Sequence, residues 1–148
     1  MQYTYNDFLA GIGTLQSLLK QSSFKPDLIV GVARGGCVPA VYLSHRTGIP
    51  CTMMDWQTRD GGRQTHRYDL TDIDISEDKK NILIIDDIND SGLTFEQILD
   101  NWCYVNKDEI LKHTRTACLL ERSASSFKCD IAGCIIDTDE WVIFPWEK

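Results

Sequence analysis

A chain of 148 residues, 43% of them hydrophobic, has apolar material for one compact domain and too little length for two of ordinary size. Its formal charge of −7 and pI near 4.8 argue against a broad contact with nucleic acid or insertion at an anionic membrane, both of which favour basic surfaces. The six cysteines form no Cys-x-x-Cys pair and, with three scattered histidines, give no zinc spacing. They read as reduced, part-buried small hydrophobes. Met1-Gln2-Tyr3 opens neither a basic nor an apolar leader, so the expected location is cytoplasmic.

Phe8, Ile12, Leu15 and Leu19 recur at helical spacing and predict a helix from Asn6 to Gln21, with Thr4 or Asn6 as its N-cap. Pro26-Asp27 turns the chain into Leu28-Ile29-Val30-Gly31-Val32, a buried-strand pattern. Ala33-Arg34-Gly35-Gly36 follows at once, then a helical stretch from Val38 to His45. Cys51 to Trp56 can form the next strand. From Gln57 to about Asp78 the segment is polar and glycine-bearing, with Arg59, Arg63, His66 and Arg67 and little apolar periodicity. A loop of that length in a compact domain is functional or disordered. Ile82 to Ile85 is a β-branched strand closed by Asp86 and Asp87, and a loop with Asp90, Ser91, Gly92 and Thr94 leads into a helix running to about Asn106. Thr114 to Leu120 and Ile131 to Ile136 are further strands, and Trp141 to Phe144 is a short apolar run. Strands alternating with helices predict an α/β fold, with a mainly parallel sheet flanked by helices and ligands at the carboxyl ends of its strands.

The stretch from Asn81 to Phe95 carries the chemistry. A loop feeding a helix N-terminus offers backbone N–H groups and a positive dipole end to a phosphate, while paired aspartates suit Mg²⁺ or sugar hydroxyls. A phosphorylated sugar bound with magnesium has all these features.

The string Ile-Ile-Asp-Asp-Ile-Asn-Asp-Ser-Gly-Leu-Thr, from Ile84 to Thr94, resembles the phosphoribosyl-diphosphate (PRPP) binding motif of the type I phosphoribosyltransferases, with Ser91 where threonine is commoner. The resemblance implies the Rossmann-like fold of that family, with a mobile hood loop over the polar segment. It also implies that Ser91, Gly92, Leu93 and Thr94 hold the 5′-phosphate and that Asp86 and Asp87 face the ribose hydroxyls and Mg²⁺. Asp90 would serve as the general base near the purine N7.

Three weaker matches point to the 6-oxopurine branch, whose members act on xanthine, guanine or hypoxanthine. Arg34-Gly35-Gly36 resembles its pyrophosphate loop, and Arg67, with Arg63 as runner-up, resembles the basic hood residue that meets pyrophosphate during catalysis. The tail from Asp139 to Glu147 resembles the base platform, in which Trp141 stacks on the base and the Val142 main chain reads its edge. One departure stands out: Glu121-Arg122 lies where the branch usually has a lysine; Arg122 is expected to donate to a base carbonyl, whereas Glu121 would favour an amino group or a protonated edge, which leaves the choice of base open. The expected assembly is a homodimer or homotetramer. Two alternatives stay open: a regulatory module of the same fold that binds PRPP or nucleotides without turnover, and an aspartyl-phosphate receiver or hydrolase using Asp86 or Asp87.

Overall fold

The structure, a computed structural model, describes residues 1–56, 80–102 and 107–147. Five parallel strands form one sheet in the order β2-β1-β3-β4-β5, comprising β1 (Leu28–Ala33), β2 (Cys51–Asp55), β3 (Ile82–Asn89), β4 (Thr114–Arg122) and β5 (Ile131–Ile136). The helices are α1 (Tyr5–Gln21), α2 (Cys37–Thr47), α3 (Leu93–Trp102) and α4 (Lys107–Lys112).

The run Ile82 to Ile85 is apolar throughout because both of its faces are covered. Leu83 and Ile85 face a core built with Phe8, Ile12 and Leu15 of α1 and Ala40 and Leu43 of α2. Ile82 and Ile84 face the other core, with Val30, Val32 and the α3 residues Phe95 and Ile98. Helix α1 starts as its sequence asks: Thr4 Oγ1 accepts from the Asp7 N–H at 3.2 Å, and Asp7 Oδ2 accepts from the Thr4 N–H at 2.9 Å, a reciprocal capping box.

Several boundaries differ from expectation. Strand β3 runs on through Asp86 and Asp87 to Asn89, because β4 continues to pair with it through Glu121. The helix expected to reach Asn106 is described from Leu93 to Trp102, residues 103–106 lie outside the described residues, and α4 was not expected as an element of its own. In the C-terminal run only Ile143 pairs, as an isolated bridge to Gln2. The hood expectation falls on residues 57–79, outside the described residues. Among the described residues, no helix is long and apolar enough to cross a membrane.

In this strand order the chain leaves β1 towards β2 on one side, while β3 lies on the other. The crevice between the carboxyl ends of β1 and β3 is therefore the topological switch point, where open parallel sheets bind ligands. Arg34-Gly35-Gly36 follows β1, and the Asp90 loop follows β3.

Candidate active site

The turn after β1 is built to touch β3. Gly36 donates its N–H to Val32 O at 2.8 Å, Cys37 donates to Arg34 O at 3.2 Å, and the Ala33–Arg34 peptide is cis. A Cβ on Gly35 would overlap the Asp87 carboxylate, and one on Gly36 would lie 2.7 Å from Val32 O. Glycine is thus required by close approach, and it brings the Arg34 turn against the acids of the neighbouring strand. Arg34 itself is exposed.

Asp86 and Asp87 sit half-buried at the end of β3, with the Asp87 N–H donating to Asp86 Oδ1 at 2.8 Å. Burial, followed by the neighbouring charge of Asp87, pushes the Asp86 carboxyl well above its ordinary range. Burial likewise pushes Asp87 up to about 6, and Glu147 of the returning C-terminal tail adds to the rise. Two adjacent carboxylates, both pushed up by burial, form a pair that a dication would relieve, and their oxygen-only donors suit a hard ion such as Mg²⁺.

The loop after β3 turns at Gly92, whose φ is +97°. Ser91 Oγ accepts from the Leu93 N–H at 3.3 Å, and Gly92 O accepts from the Glu96 N–H at 3.1 Å, so α3 begins directly on the loop. The first N–H groups of a helix have no partner within it and point outward from its N-terminus.

Asp90, Arg122 and the C-terminal tail are tied together. Arg122 Nε donates to Asp90 Oδ1, Nη1 to Thr138 O, and Nη2 to Glu140 O at 2.8 Å. The side chain of Arg122 is only 12% exposed, against 53% for Asp90. Arg122, expected at a base carbonyl, bridges the loop to the tail through its three nitrogens. Trp141 follows this anchored segment, with 59% of its surface exposed, while the side chain of Val142 is buried in the core beneath. Glu121 is 4% exposed and accepts from the Cys129 N–H at 2.7 Å and from Asn89 Nδ2 at 3.2 Å.

Sequence reading missed the support behind the loop. Ser126 donates through N–H and Oγ to Ser91 O, at 3.1 and 2.8 Å, and through Oγ it also reaches Glu96 Oε1 at 2.9 Å. Buried Asn89 donates to Phe127 O at 2.8 Å and accepts from Ser125 Oγ at 3.1 Å. The available signal was the turn-forming run Ser123-Ala124-Ser125-Ser126, directly after a strand. The structure thus brings together Arg34, Gly35, Asp86, Asp87, Asp90, Ser91, Gly92, Leu93, Thr94 and Arg122 around the carboxyl ends of β1, β3 and β4. Arg67 and Arg63 lie outside the described residues.

Residues 3–147 match the family model for the phosphoribosyl transferase domain. The chain belongs to that family. The fold is shared with purine phosphoribosyltransferase from Pyrococcus horikoshii, at 31% identity and a TM-score of 0.76, covering 100% of this chain and 94% of that one. Xanthine-guanine-hypoxanthine phosphoribosyltransferase from Helicobacter pylori has the same fold, at 24% identity and a TM-score of 0.73, covering 99% and 92% of the two chains. Among curated proteins, orotate phosphoribosyltransferase from Bartonella bacilliformis is 25% identical over 137 residues, 92% of this chain. The chain spans 64% of that relative's length. The resemblance read from Ile84 to Thr94 therefore holds for the family and its fold, and the motif lies at the crevice between β1 and β3.

Proposed function

We propose that this chain is a Mg²⁺-dependent phosphoribosyltransferase that moves ribose 5-phosphate from PRPP to a 6-oxopurine and releases pyrophosphate. The observation that carries the reading is the approach of Gly35 to the Asp87 carboxylate, which joins an anion-binding turn to a cation-binding acid pair at the switch point. The 31% identical Pyrococcus horikoshii structure, a purine phosphoribosyltransferase, supports the choice of base.

Each group then has a task. The N-terminus of α3, with Ser91, Gly92, Leu93 and Thr94, receives the 5′-phosphate. Arg34 and the Gly35 backbone meet pyrophosphate, with Arg67 as a second cation. Asp86 and Asp87 face the ribose hydroxyls and hold Mg²⁺, which, when bound, neutralises charge on the departing pyrophosphate. Asp90 accepts the imidazole proton of the incoming base as the glycosidic bond forms, and its negative charge also favours an oxocarbenium-like transition state. Trp141 stacks on the base and the Val142 main chain reads its edge. Arg122 acts as a positioning residue: it aims Asp90 and fixes the tail through Thr138 O and Glu140 O.

The test is an assay with PRPP and Mg²⁺ against hypoxanthine, guanine, xanthine and orotate, following pyrophosphate and nucleotide. Turnover is expected with a 6-oxopurine. Faster turnover with orotate would keep the transferase and overturn the choice of base. PRPP binding without turnover on any base would make the chain a regulatory binding module.

A further inference from the structure

We propose that Cys118, Glu121 and Cys129 form a binding site for a thiophilic divalent cation, of which Zn²⁺ is the model. Their sulfur and carboxylate oxygen atoms lie within 4.8 Å of one another. In a tetrahedral zinc site, bonds of about 2.3 Å to sulfur and 2.0 Å to oxygen separate neighbouring donors by roughly 3.5–3.8 Å. Ligation would draw the three donors, already within 4.8 Å, in to those spacings. Two sulfurs and one carboxylate suit zinc and exclude a preference for Mg²⁺, so this site is chemically distinct from the Asp86–Asp87 pair.

The surroundings favour a cation. Cys118 is fully buried and Glu121 nearly so, on the face of the sheet where Phe95 stacks on Phe127 at 5.5 Å. A carboxylate buried against two sulfurs on an apolar face is costly without positive charge. Lys128 Nζ lies 3.7 Å from Glu121 Oε1 at the surface, beyond hydrogen-bonding distance. Zinc binding breaks two S–H bonds, forms two Zn–S bonds and passes two protons to the buffer, and the Lys128 charge offsets the one negative charge left on the complex. Three protein donors leave a fourth position for water, and Cys129 is only part-buried.

The Glu121 carboxylate is already oriented by donors from the Cys129 N–H and Asn89 Nδ2, the kind of supporting shell that fixes a metal ligand. The segment that such an ion would clamp, Ser123 to Cys129, is the one that braces Ser91 through Ser126. Bound metal is thus expected to stiffen the wall of the PRPP loop without touching its reacting groups.

The experiment uses the full chain, reduced and stripped with a chelator, and titrated with Co²⁺ as the optical probe and then with Zn²⁺. The expected result is a sulfur-to-cobalt charge-transfer band that saturates at one equivalent and is displaced by Zn²⁺. The band should vanish in Cys129→Ser and Cys118→Ser and persist in Cys134→Ser, while Glu121→Gln weakens binding at least about tenfold. A readout free of folding effects is alkylation of the wild-type protein: Zn²⁺ should protect Cys118 and Cys129 selectively, as seen by peptide mass analysis. No band, a band that survives Cys129→Ser, or equal alkylation with and without Zn²⁺ would each overturn the proposal.

Discussion

Gly35 is where a single atom decides the most. A methyl group there meets the Asp87 carboxylate, so Gly35→Ala must move either the turn or the acid. The expected cost is about 1–3 kcal/mol of stability, read by denaturant unfolding, with a larger loss of Mg²⁺-supported PRPP binding read by calorimetry. Under the proposed mechanism Asp90 and Arg122 separate chemistry from positioning. Asp90→Asn keeps the shape of the loop and removes the base, so turnover should fall about 10²–10⁴-fold while PRPP affinity changes little. Equal losses in both would make Asp90 a binding residue. Arg122→Lys keeps the charge but cannot make the three-pronged contact to Asp90, Thr138 and Glu140, so it should raise KM for the base as well as lower kcat. The position of Asp90 in the loop after β3 could be read from the chain because the motif around it is contiguous. The Arg122 bridge could not, because its partners come from two distant segments.

Among the elements, α3 depends on how it starts. Gly92 has a positive φ, and a Cβ on it would lie 2.5 Å from the Phe127 N atom and 2.7 Å from Ser126 Oγ. Gly92→Ala therefore forces the loop off its brace, and its expected signature is a raised KM for PRPP with a lowered melting temperature. Helix α1 provides the contrast. Thr4→Ala removes the capping box and should cost about 1 kcal/mol with unchanged kinetics, because α1 buries its apolar face in the core beside α2. Both helices were legible from apolar spacing and cap chemistry. The end of β3 was not: its last residues are polar, and only pairing with β4 holds Asp86 to Asn89 in the strand.

At the scale of the whole molecule, the two termini close one edge of the core, where Tyr3 packs on Phe144 and its N–H donates to Ile143 O at 3.0 Å. Burial, with Asp7 nearby, pushes the Tyr3 phenol up to about 12, while its hydroxyl donates to Asp7 O at 3.1 Å. The unfolded chain ionises this group near 10, so the fold's preference for the neutral phenol is fully present below that pH and is lost as pH rises through 12. Tyr3→Phe should cost about 1 kcal/mol at neutral pH and make the loss of stability between pH 10 and 12 shallower, as followed by thermal melts. The alternation of strands with helices apart from α4, the cap of α1, and the acids and glycines of the loop after β3 were determined by the sequence itself, because each depends on a local period or a contiguous motif. Tertiary structure alone decided the Arg122 bridge, the Ser126 brace and the meeting of Cys118 with Glu121. That last pair is three residues apart, which in a regular strand puts the side chains on opposite faces. Here Leu119 and Leu120 both turn into the α1–α2 core, the alternation slips by one, and Glu121 comes round to the sulfur atoms. The slip follows from packing across the sheet, which no local period encodes.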